Sequence, residues 1–142
     1  MSPRLSQALT IVTIFVLVGP VVGALVFGVL VTVFAFADAP EIGIAFVYLA
    51  IAFFPLAYLV GGAQALFAGI VTASVAWRRG SAPLSVPLGA ALAAGALVAS
   101  RSHERWDATA ILLAVHLLSA WVCWLLLRRA LGWAAPAPIS GS

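Results

Sequence analysis

Few residues of this chain could do chemistry, and two of them stand where polarity is expensive. Gln64 lies in an uncharged run from Ile42 to Trp77, and His116 lies in another from Ala108 to Leu127. Counted from the ends of those runs, both fall near the midplane of a membrane crossing, where a polar side chain should face other helices or a water-filled cavity. They are expected to hydrogen-bond to each other, with Ser119 one turn from His116. Two roles fit such a pair: a hydrogen bond that holds helices together, or the lining of a path or ligand contact.

Other chemistries find little support. His103 and His116 are 13 residues apart, ~20 Å along a helix, too far to bracket one haem iron. Cys123 is the single cysteine, so an intrachain disulfide and a four-cysteine metal site are both excluded. His103, Glu104 and Asp107 share a loop but show no recognised ligand spacing. All four carboxylates flank loops (Asp38 and Glu41 the first, Glu104 and Asp107 the third), and proton-coupled transport usually needs one inside the membrane. Metalloprotease, nucleophile-elbow and glycine-rich phosphate motifs do not occur. The expectation is a non-enzyme with no catalytic residues, no metal and no cofactor, and no nucleic-acid partner.

The elements that must position the pair are helices. Apolar residues make up 65% of the chain and charged residues 8%, and the mean hydropathy is +1.20, far outside the soluble globular range. The expected fold is an all-α integral membrane protein, a bundle of four transmembrane helices in a single domain over 1–133, with a disordered tail at 134–142. The spans fall at about 8–37, 42–77, 84–100 and 108–130. The second run is about 36 residues long, or ~54 Å as helix against a hydrocarbon core of ~30 Å. It must tilt, break or lie partly along the surface, and a kink is expected near Pro55, between an interfacial or tilted part (Ile42 to Phe54) and a crossing (Leu56 to Trp77). Asp38-Ala39-Pro40-Glu41 reads as its start, with Asp38 as cap, and Asp107 can cap the fourth span.

With four spans, Arg4, Arg78, Arg79, Arg128 and Arg129 share one side, against Arg101 and Arg105 on the other. The positive-inside rule then puts both termini in the cytoplasm. A fifth span, made by a hairpin at Gly61-Gly62, would spoil that bias. Trp77, Trp106 and Trp124 stand near span ends, where indoles favour the headgroup level. Ala35-Phe36-Ala37 has the form of a signal cleavage site, but the apolar stretch before it is far longer than the usual ~7–15 residues, so an uncleaved span is expected. All seven basic residues are arginine, which with the wealth of alanine and glycine suggests a GC-rich bacterium.

Small residues recur at every fourth position: Ala57, Gly61, Ala65, Gly69 and Ala73 form a ridge on one face of the second span. Gly19 with Gly23, and Ala91 with Gly95 and Ala99, repeat the spacing. Such ridges either hold the bundle together or form the seam of a homodimer.

Gly19-Pro20-Val21-Val22-Gly23, followed by Tyr58-Leu59-Val60-Gly61-Gly62-Ala63-Gln64-Ala65-Leu66-Phe67-Ala68-Gly69, resembles a group of small four-span inner-membrane proteins of alphaproteobacteria. In that group a Gly-Pro-x-x-Gly first span precedes a Tyr-x-x-Gly-x-x-Pro-Ala-Leu-x-x-Gly second span. Gln64 replaces the proline of that pattern, so the second helix break it implies is not carried over. The resemblance spans about the first 80 residues. It implies a bacterial inner membrane and no particular activity. The combined expectation is a packing or accessory subunit, or a homo-oligomer, with the lipid bilayer and a second copy or another membrane protein as partners. A small channel or carrier with a polar path near Gln64 and His116 is the alternative.

Overall fold

In the computed structural model, which describes residues 2–38, 48, 54–101 and 106–133, the chain is all-helical, with four helices and no strand among the described residues. They are α1 (Pro3–Asp38), α2 (Phe54–Arg79), α3 (Ser85–Arg101) and α4 (Trp106–Ala130). Stretches of α1 (Pro3–Leu30) and α4 (Thr109–Ala130) are long and apolar enough to cross a membrane, and α3 is a shorter apolar helix. The four helices follow the order of the four expected runs, and α1 begins five residues before the expected start at Ala8. The interfacial part before Phe54, with the kink expected where it meets Pro55, lies outside the described residues. So do Ala39 to Glu41, the loop carrying His103 and Glu104, and the tail at 134–142. Pro55 itself is the second residue of α2 and Asp38 the last of α1. Asp107 falls inside the first turn of α4, one residue after its first, Trp106.

Local chemistry sets the helix ends. Ser2 Oγ accepts the Leu5 amide at 3.3 Å, and Pro3 opens the helix where no N–H is required. Pro87 sits in the first turn of α3 and so removes no helical bond. Gly132 (φ 62°) ends α4 with the Trp133 amide bonded to the Arg128 carbonyl at 3.0 Å, a Schellman closure. At the end of α2, Gly80 (φ 80°) returns its amide to the Ala76 carbonyl at 2.7 Å. A Cβ at Gly80 would meet no atom within 4 Å, so replacement there strains the backbone alone. Gly80→Ala should lower stability by about 1–2 kcal/mol, and Gly80→Asn by clearly less, since asparagine tolerates the left-handed conformation. Thermal unfolding in detergent reads the difference, and equal losses for the two would reject a backbone origin.

The helices form a ring. α1 packs on α2, α2 on α3, α3 on α4, and α4 closes back on α1, while the diagonal pairs scarcely touch among the described residues. The buried core gathers at one end, around Ile11, Phe15, Ala68, Ala73, Ala76, Ala120, Cys123 and Leu127. The α2–α3 loop is strapped to that end from both sides. Gln7 Nε2 donates to the Gly80 carbonyl at 3.0 Å, and Trp124 Nε1 donates to the Ala82 carbonyl at 3.0 Å. The Arg128 guanidinium lies 5.5 Å from the centre of the Trp124 ring.

Candidate functional site

A ring whose diagonals scarcely touch leaves space at its centre. A cavity of about 290 Å³ opens there, with walls from all four helices: Phe15, Gly19 and Phe27 of α1, Gly61 and Ala68 of α2, Ala91 and Ala94 of α3, Leu112 and Ala120 of α4 among them. Small side chains dominate this wall, and among the described residues none that lines it is charged. Its polar groups are Gln64, His116, Ser119 and Cys123.

Gln64 and His116 meet across the diagonal. His116 Nε2 is in hydrogen-bond contact with Gln64 Oε1, so α2 and α4, which otherwise barely touch, are joined by one polar staple among the described residues. The other ring nitrogen, Nδ1, lies 2.6 Å from the Leu112 carbonyl, one turn back on the same helix. That carbonyl can only accept, so Nδ1 carries a proton. Ser119 Oγ donates to the Val115 carbonyl at 2.8 Å and leaves its lone pairs free for other donors. The hydroxyls of Thr10 and Thr72 are likewise turned onto the carbonyl four residues back, which is how a helix in an apolar setting satisfies a hydroxyl without a partner helix.

The small-residue ridge divides. A Cβ on Gly69 would stand 3.1 Å from Phe15 Cβ and 3.3 Å from Val12 Cα, so α1 and α2 touch there almost backbone to backbone. Ala65 comes within 3.3 Å of a Cβ placed on Gly19, and Ala73 is buried. Gly61 faces open space and lines the cavity. Ala57 belongs to α2, but its side chain is not among those described. In the other stripes, a Cβ on Gly23 would meet Ser119 Oγ at 3.3 Å, and one on Gly95 would meet Leu113 Cδ2 at 2.9 Å.

Sequence reasoning passed over Tyr58, whose hydroxyl donates to the Leu17 carbonyl at 2.7 Å. Pro20 removes the N–H that the Val16 carbonyl would accept, and Tyr58 bonds the next carbonyl along that turn, so it braces α2 against α1 beside the proline without replacing the lost bond. No signal in the sequence pairs Tyr58 with Leu17. Cys123 was weighed for metal binding, yet its place is on the cavity wall beside Gly19. Compared with family models, with curated proteins and with solved structures, the chain matches none of them.

Proposed function

We propose that this chain is a non-catalytic bacterial inner-membrane protein that crosses the bilayer four times with both termini in the cytoplasm, and that its central cavity binds or passes a small lipophilic molecule. The observation that carries this reading is a cavity walled by all four helices with the Gln64–His116 pair as its main polar feature. Ligand sites have this composition, with mostly apolar walls and a few placed polar groups. An ion path is disfavoured, because a mostly carbon-lined wall, uncharged among the described residues, does not replace a hydration shell. The accessory or homo-oligomeric reading draws on Gly62, which does not line the cavity and around which a Cβ would meet no described atom within 4 Å.

Native mass spectrometry on protein released gently from its own membranes tests the cavity reading. A fraction of the wild-type chain should carry a small neutral adduct, and Gly61→Phe, which has room to grow into the cavity, should carry none. Adducts retained equally by Gly61→Phe would reject a cavity site, as would a bare wild-type chain. Reporter fusions at Ala82 and at Ser142 should read as cytoplasmic, and a fusion at His103 as external. Any other pattern rejects the four-span topology.

A further inference from the structure

The hydrogen-bond inventory of the cavity wall narrows what can occupy it. Two acceptors, Gln64 Oε1 and the Leu112 carbonyl, face the two nitrogens of His116. A neutral imidazole can donate from only one nitrogen, and the carbonyl claims Nδ1. The nearest carboxylate on the same helix, Asp107, lies nine residues before His116, ~13 Å along α4. Among the described residues the cavity wall holds no charge to balance a charged ring. A half-turn of the Gln64 amide resolves the conflict, because oxygen and nitrogen of the amide exchange places and an N–H then points at Nε2.

That assignment leaves the Gln64 amide with one N–H and its oxygen, and neither has another partner among the described residues. The Ser119 proton is spent on Val115, so this hydroxyl offers lone pairs alone. One amide donor and several acceptors therefore line a wall otherwise made of carbon, the His116 ring and the Cys123 thiol. A ketone or ether uses the donor and leaves the acceptors unpaired. A hydrocarbon uses neither. An amine or carboxylate brings charge into a site where no described side chain balances it. A hydroxyl group, which accepts and donates at one atom, satisfies both sides.

Size sets the rest. A cavity of about 290 Å³ is about twice the ~150 Å³ that accepts benzene in an engineered protein core, so about two fused rings fit. We infer that the cavity takes a neutral lipophilic alcohol or phenol of about bicyclic size, with its hydroxyl docked on the Gln64 amide. This rests on the reading of the cavity as a ligand site.

The full chain in lipid nanodiscs, titrated with 1-naphthol, 1-methoxynaphthalene and naphthalene against empty nanodiscs, tests it. Saturable binding of 1-naphthol is expected, about tenfold tighter than naphthalene, the scale of one well-made hydrogen bond. 1-Methoxynaphthalene, which keeps the oxygen and lacks the O–H, should bind more weakly than 1-naphthol. Gln64→Leu should bring 1-naphthol to within about twofold of naphthalene, and naphthalene binding, which it should leave in place, shows that the variant is folded. Equal affinities for the three probes in the wild type overturn the alcohol inference and leave the cavity reading standing. A preference for 1-naphthol that survives Gln64→Leu does the same. Absence of saturable binding by any of them overturns both. The methoxy comparison needs no variant, so the inference stays open to refutation even if Gln64→Leu does not fold.

Discussion

Gly69→Leu should unfold the chain or leave it barely folded, and Gly61→Leu, two turns away on the same helix face, should be nearly silent in stability. At Gly69 the nearest atoms to a new Cβ are Phe15 Cβ at 3.1 Å and Val12 Cα at 3.3 Å, and neither can rotate away. Phe15 is itself in the core, with 2% of its surface exposed. Forcing extra methylenes into a packed interior costs about 1–3 kcal/mol, and a four-carbon side chain set against backbone belongs at or above the upper end. At Gly61 a Cβ meets nothing within 4 Å, and leaving glycine behind in a helix contributes about 1 kcal/mol in favour of the variant. Gly95 gives an informative third case. Its closest neighbour is Leu113 Cδ2 at 2.9 Å, the far end of a side chain that can turn, so Gly95→Ala should stay within about 1 kcal/mol of wild type. Denaturation by SDS titration in mixed micelles ranks the three. A Gly69→Leu protein as stable as the wild type would refute the close approach of α1 and α2.

The described part of the ridge is used inside its own chain. Loss of assembly in Gly69→Leu carries no information about a seam between copies, because that glycine is already occupied by α1, and Gly61→Leu grows into the cavity. A seam is tested beside the ridge at Gly62, which does not line the cavity and has no described atom within 4 Å of a new Cβ. A stable monomeric Gly62→Leu chain where the wild type is oligomeric would establish a seam, and an unchanged oligomeric state would reject one there.

How much of this the sequence carries differs from one feature to the next. The helices follow from uncharged apolar runs punctuated by arginines, a signal strong enough to place α2, α3 and α4 to within about two residues at the ends the structure describes. The Ser2–Pro3 start of α1 was equally legible as an N-cap followed by a first-turn proline, but the apolar run drew attention to Ala8 instead. Depth along two runs brings Gln64 and His116 to one level, which is a necessary condition for contact and says nothing about which helices are neighbours. The ring order is another matter. Spacing of four identifies the face that carries Gly61 and Gly69 but not the crossing angle, and the crossing angle decides that Phe15 meets the second and leaves the first open. The central cavity was illegible for the same reason. It exists because two diagonals fail to close, and no single segment records that.

Removing the polar staple should show strong coupling between its two halves. Gln64→Leu alone leaves His116 Nε2 facing carbon, and His116→Leu alone leaves the Gln64 amide without its partner across the cavity. An orphaned polar group of this kind costs about 1–3 kcal/mol. In the double variant nothing is orphaned. The Leu112 carbonyl that Nδ1 approaches still has its helical bond to the backbone N–H of residue 116. The double variant should therefore be more stable than the sum of the singles implies, by about 0.6–1.7 kcal/mol, the range measured for hydrogen bonds between helices in membranes. A double-mutant cycle by SDS titration gives this number directly. Strict additivity would mean that the two side chains do not sense each other, and the tautomer assignment that leaves Gln64 with a free donor would fall with it. Stability and binding should then part company. Two leucines of nearly the volume they replace keep a cavity of about 290 Å³, so the double variant should hold its fold and its naphthalene binding while losing its preference for 1-naphthol. A staple that served packing alone would leave the preference for 1-naphthol where the wild type has it.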